Sequence, residues 1–168
     1  MGTGYRYHCA ACGEERKFSL GIGFAFPRVC ERTLGEVEEG LYGDALQRAI
    51  RDRPLVGVCA ERVVFECEGC GHWETGIDAS LYEPDDLDEA LSEQFGIKTV
   101  AEWGHLPYLM SYKIGNGWHL LVPYEPTCPE CGRTMRKRVS DDAADRGTEL
   151  RCPKCGSMNG LSESFLWD

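Results

Sequence analysis

Cys9-Ala10-Ala11-Cys12-Gly13, Cys67-Glu68-Gly69-Cys70-Gly71, Cys128-Pro129-Glu130-Cys131-Gly132 and Cys152-Pro153-Lys154-Cys155-Gly156 are four copies of one pattern, Cys-x-x-Cys-Gly. Two intervening residues let both sulfurs of a tight turn face one tetrahedral ion at about 2.3 Å, and amides of the turn donate to the thiolates. Glycine after the second cysteine permits a left-handed backbone without a Cβ penalty. Of the 10 cysteines only Cys30 and Cys59 stand outside these pairs. Four evenly built turns fit metal ligation better than a disulfide framework, and a redox Cys-x-x-Cys normally occurs once, between a strand and a helix. The reading is two ions per chain, each held by four thiolates: Cys9, Cys12, Cys67, Cys70, Cys128, Cys131, Cys152 and Cys155, with zinc as the metal and iron as the alternative.

Spacing suggests which pairs share an ion. The 20 residues between Cys131 and Cys152 match the separation of about 15–20 in a compact four-cysteine site, and Cys9/Cys12 then join Cys67/Cys70. Because loop entropy rises slowly with length, the interlaced arrangement, first pair with last and second with third, stays open. Gly132 to Val139 reads as a strand leaving one turn, 141–147 as a polar turn and Thr148 to Arg151 as a return strand. Residues 125–160 thus resemble a zinc ribbon. Tyr5-Arg6-Tyr7-His8-Cys9 resembles the opening of rubredoxin-type proteins, where an aromatic precedes the first cysteine, and that likeness implies iron electron transfer as a further alternative. The whole pattern resembles uncharacterised bacterial two-ribbon proteins of the zinc-ribbon superfamily, a resemblance that implies no activity.

Working outward, Phe18, Leu20, Ile22, Phe24 and Phe26 alternate with small residues, which predicts a strand with one bulky face. Gly21-Ile22-Gly23 lacks the rest of a phosphate-loop pattern. Apolar residues from Leu34 to Ile50 recur at steps of three and four, predicting one or two helices interrupted near Gly40 and Gly43 and ended by Pro54. Val56 to Glu66 reads as a strand, or a turn and strand, leading to Cys67, and His72 to Thr75 as the strand leaving Cys70. Asp85 to Phe95 reads as a short acid-capped helix with Gly96 at its end, and Asn116-Gly117 predicts a hairpin over 108–122. The expectation is an α+β protein: residues 1–124 form an N-terminal ribbon domain with a helical insertion at about 28–53 and an acidic helix and hairpin extension, and 125–168 a C-terminal ribbon.

Net charge is −10 over 168 residues. The acids concentrate in 31–102, where 18 acids face 6 bases, so the chain as a whole is repelled from phosphate. A local exception is Arg133, Arg136, Lys137, Arg138, Arg151 and Lys154, a patch suited to nucleic acid, to an acidic partner or to the chain's own acids. The aromatics Trp103, Tyr108, Tyr112, Trp118 and Tyr124 read as core or as a protein interface. His8 and His72 adjoin ligand cysteines, but four cysteines already close a tetrahedron. Glu83, Asp85, Asp86, Asp88 and Glu89 read as a solvated helix start, and Cys30 and Cys59 as small buried hydrophobes. No nucleophile motif and no His-Glu-x-x-His occur, and a closed site leaves no open position for water. The expected function is therefore a non-enzymatic, cytoplasmic zinc-binding adaptor with a protein partner and no membrane contact; nucleic-acid binding through the basic ribbon is the alternative.

Overall fold

A computed structural model of the chain describes residues 2–23, 25–106, 108–141, 144 and 148–167, with 163–167 described through their backbone. In chain order the elements are β1 (Gly2–His8), β2 (Glu15–Leu20), α1 (Phe26–Glu38), α2 (Asp44–Asp52), β3 (Gly57–Val58), β4 (Arg62–Cys67), β5 (Trp73–Ile77), β6 (Leu81–Pro84), α3 (Leu87–Ser92), β7 (Gln94–Phe95), β8 (Lys98–Thr99), α4 (Val100–Trp103), a 3-10 turn at Ser111–Lys113, β9 (Trp118–Val122), β10 (Met135–Val139), β11 (Glu149–Arg151) and β12 (Met158–Trp167). Helices with antiparallel sheets give the α+β class. None of the described helices is long and apolar enough to cross a membrane.

The chain divides into two compact units, and the division does not follow the expected boundary at 124/125. Met1–Ala25, Glu61–Asp78 and Glu125–Asp168 form unit 1, and Phe26–Ala60 with Ala79–Tyr124 form unit 2. The reason is strand pairing. All four cysteine turns hang from strands of unit 1, and unit 2 consists of two long insertions between those strands.

Unit 1 contains two sheets, ordered β11-β12-β1-β2 and β10-β4-β5. The expected strands after the third turn and before the fourth are present, but they do not pair with each other as a ribbon at 125–160. Instead β10 lies antiparallel on β4 and β11 on β12, while β12 continues onto β1 from Leu161 opposite Tyr7 to Trp167 opposite Gly2. The polar turn expected at 141–147 falls largely outside the described residues. Tyr5, Tyr7, Leu20, Val64, Trp73, Val139, Leu150 and Leu161 form the unit's core, together with Cys9 and Cys152. Trp73 is buried against Tyr7 and Phe18 at 5.5 and 5.4 Å between ring centres, and its Nε1 donates to the Arg151 carbonyl at 2.7 Å.

The alternation expected from Phe18 to Phe26 stops at Leu20, and Phe26 opens α1; Phe24 lies outside the described residues. Gly21 ends the strand. It adopts φ of 78° and exchanges two 2.9 Å backbone hydrogen bonds with Arg62, tying β2 to the start of β4. A Cβ there would stand 2.7 Å from Asp141 Oδ2.

Unit 2 is built on the sheet β3-β6-β9. Successive residues of β6 serve opposite faces: Leu81 packs with Val37, Leu46, Val56 and Ala79, and Tyr82 with Leu55, Ala90, Val100, Leu106, Leu109 and Trp118. Helices α1 and α2 appear where the periodicity placed them, broken at Gly40 and Gly43, both at positive φ. Helix α3 is capped by Asp86, which accepts from the Glu89 amide, but Gly96 turns the β7–β8 hairpin rather than ending the helix. The hairpin expected over 108–122 does not form, because β9 takes β6 as its partner and residues before it curl into the 3-10 turn, burying Leu109. Cys30 and Cys59 are buried, with the Cys30 thiol donating to the Cys59 carbonyl at 3.6 Å.

Two outcomes test these contacts. Gly21→Ala places an L side chain at positive φ and lowers the free energy of unfolding by about 1–2 kcal/mol in urea titration; adding Asp141→Ala relieves the contact but not the backbone strain. His119 on β9 stands 2.6 Å from Asp85 Oδ1 and 3.0 Å from Glu83 Oε1, and these two carboxylates raise its pKa, Asp85 foremost. A raised folded-state pKa stabilises fully below the unfolded value of about 6.5 and is lost as pH rises through the folded one. The stability difference between wild type and His119→Gln is therefore largest in mildly acidic buffer, shrinks in mildly alkaline buffer, and is screened by salt.

Candidate metal centres

Each cysteine turn is built alike. The amide of the first cysteine donates to the carbonyl five residues on, and the closing glycine amide donates back to the first cysteine: Cys9–Glu14 and Gly13–Cys9, Cys67–His72 and Gly71–Cys67, Cys128–Arg133 and Gly132–Cys128, Cys152–Ser157 and Gly156–Cys152, all at 2.7–2.9 Å. The geometry needs φ of 70–80° at Gly13, Gly71, Gly132 and Gly156, which explains the glycine in all four copies. The first cysteine of each pair is buried, and the second turns outward.

The turns combine in the interlaced way. Cys9, Cys12, Cys152 and Cys155 bring their sulfurs within 4.8 Å of one another, and so do Cys67, Cys70, Cys128 and Cys131. The pairing by nearest spacing, Cys128/Cys131 with Cys152/Cys155 and Cys9/Cys12 with Cys67/Cys70, is thereby corrected. Strand β12 carries the fourth turn onto β1 and the first turn; β10 carries the third onto β4 and the second. In chain-entropy terms, closing 140 residues between Cys12 and Cys152 rather than about 20 costs only about 2 kcal/mol more. Six residue pairs between β1 and β12 outweigh that cost.

In both sets the first cysteine of one turn faces the second of the other. Cys9–Cys155 and Cys67–Cys131 are 3.5 Å apart, Cys12–Cys152 and Cys70–Cys128 3.6 Å. These separations are far beyond the S–S bond of about 2.05 Å. They approach the edge of about 3.8 Å that four sulfurs make around an ion at about 2.3 Å. Burial opposes ionisation of Cys152, but the amides of Cys155 and Lys154 outweigh it and bring this thiol down to about 6. Amides of Cys70 and Gly69 hold Cys67 at about 7 against burial. At Cys12 and Cys70 the amides of Glu14 and His72 pull the same way, yet burial and the neighbouring sulfurs push these thiols up to about 12. Four sulfurs so close ionise together around a cation, and the donor set therefore fits a bound metal ion at each place.

Three side chains support the first set, and for two of them, Asn159 and Ser157, no sequence pattern marks the role. Asn159, on β12, accepts from the Ala10 amide at 3.1 Å and directs its Nδ2 to Cys9 Sγ at 3.5 Å and the Ser157 carbonyl at 3.0 Å. Burial, followed by its hydrogen bond to Cys152, raises the pKa of Tyr7. Ser157 Oγ lies 3.4 Å from Cys155 Sγ. Only Tyr7 had a signal, as an aromatic shortly before Cys9.

His8 and His72 are not members of either set. The basic patch divides. Arg136 pairs with Glu68 and Glu125, Lys137 with the buried Asp78 at 2.8 Å, and Arg138 with Glu66 at 3.2 Å. Among the described residues Arg133, Arg151 and Lys154 have no carboxylate partner, and Arg133 and Arg151 lie against Gly69 and Gly71 of the second turn. The aromatics divide as well: Trp118 is core, Tyr108 packs on Phe26 and Phe95, and Tyr124 on Tyr42, whereas Trp103 and Tyr112 are exposed. Of the acidic group, Asp86 caps α3 while Glu83 and Asp85 hold His119.

These features define a protein with two four-cysteine groups suited to metal, consistent with zinc-ribbon-like turns. No protein-family model, curated protein or solved structure matches the chain. Removal of the Asn159 side chain tests the role given to it: Asn159→Ala weakens metal retention by the first set about tenfold in chelator competition and leaves the second set unchanged.

Proposed function

We propose that this chain is a non-enzymatic zinc protein, with two structural ions per chain that hold unit 1 together, acting as a protein-interaction adaptor. The observation that carries the reading is the closure of both sulfur sets. Each supplies four thiol ligands from two rigid turns, and a four-coordinate zinc so held has no position for water or substrate. The residues of the first set would join the two ends of unit 1, those of the second its middle segments, and the bound ion supplies folding free energy there.

For the partner, unit 2 offers 13 acids against 7 bases and exposes Leu41, Ile97, Trp103 and Tyr112, a surface suited to a basic protein with apolar anchors. Phosphate binding has less support. Unit 1, which carries the basic patch, is itself net negative at −4 by sequence, and the cations of β10 are engaged by carboxylates.

Elemental mass spectrometry of protein purified without added metal gives two zinc per chain and a colourless solution, and a strong chelator lowers Tm sharply. Iron with thiolate charge-transfer bands in the visible would replace this reading with electron transfer. At low salt, DNA and RNA fail to shift on a gel; a salt-dependent shift lost in the Arg136→Glu, Arg138→Glu double variant would assign the patch to nucleic acid.

A further inference from the structure

Arg151 belongs to the surroundings of both sulfur sets. On β11 it immediately precedes Cys152 of the first set. Its side chain crosses to the second: Cδ and Nε lie 2.5 and 3.0 Å from where a Cβ on Gly71 would sit, next to Cys70. Gly71 thus combines positive φ with a steric reason to carry no side chain. The Arg151 carbonyl is fixed by Trp73 Nε1, three residues beyond Cys70. Arg151 lines a cleft of about 530 Å³ together with Cys70 and Cys152, and a second of about 580 Å³ together with Cys67 and Cys70.

The patch divides by charge pairing. Arg136, Lys137 and Arg138 spend their charge on carboxylates, whereas among the described residues Arg151 has no carboxylate partner. Its natural counter-charge is the thiolate groups on either side. Four thiolates around a divalent ion leave a net charge of about −2, so filling both sets places two dianions in one small unit, and a guanidinium between them lowers their mutual repulsion.

We propose that Arg151 is a positioning residue shared by the two centres, its guanidinium offsetting the charge of both and thereby coupling their affinities for metal. The proposal rests on the reading of both sets as metal centres. It assigns a cation beside the cysteine turns to the protein's own metal chemistry instead of to an external phosphate.

Cadmium-substituted full-length protein gives one cadmium NMR resonance per centre, assigned by the loss of one in Cys131→Ser, and chelator is titrated against each resonance. Arg151→Met keeps the bulk over Gly71 but removes the charge, and Arg151→Lys keeps the charge without the planar fork. In Arg151→Met both centres give up cadmium about tenfold more readily, Arg151→Lys stays close to wild type, and the difference fades at about 1 M salt, where the screening length is about 3 Å. Circular dichroism confirms that each variant is folded before titration. Loss confined to the set containing Cys152, wild-type behaviour of Arg151→Met, or equal loss in Arg151→Lys and Arg151→Met overturns the coupling. A wild-type chain that takes up fewer than two ions overturns the reading of the centres themselves, and that outcome is visible before any variant is made.

Discussion

The antiparallel ladder between β1 and β12 is the contact on which unit 1 depends. It brings the first and fourth cysteine turns together, places Asn159 beside Cys9, and seats Leu161 opposite Tyr7 in the core. The second ladder, β10 on β4, does the same for the remaining turns. Each set of four sulfurs is thus a consequence of strand pairing between distant segments.

Much of the site was legible in the sequence, because its parts are local. The eight cysteines and the closing glycines follow from the demands of a turn that points two sulfurs at one place, and the structure groups those eight in fours. The partition was not legible from spacing. Proximity along the chain favoured joining Cys131 to Cys152, but the entropy that separates short closures from long ones is small against a ladder of backbone hydrogen bonds. The deciding segment was Met158 to Trp167, which follows the last turn and has no patterned signal of its own.

The same distinction runs through the rest of the chain. Helices α1 and α2 were readable from a repeat of three and four, and the short acid-capped helix from its place after Pro84, although which acid caps it, Asp86, needed coordinates. The aromatic segment before Asn116-Gly117 misled, since a favourable turn dipeptide says nothing about which strand will accept β9, and β6 was the better partner. Likewise, alternation through Phe26 could not show that Gly21 would leave the strand to meet Arg62. The cations were found by counting, while their division into carboxylate-paired and cysteine-facing groups needed coordinates.

Interlacing also sets an order of events during synthesis. As the chain leaves the ribosome, Cys9/Cys12 and Cys67/Cys70 are the first two cysteine turns to emerge, and in the folded protein they belong to different sets. The second centre is complete once Cys131 is out, and the first must wait for Cys155; at roughly 5–20 residues per second, the interval between the two is on the order of seconds. The earliest metal-binding set available to the nascent chain is therefore a mismatched one.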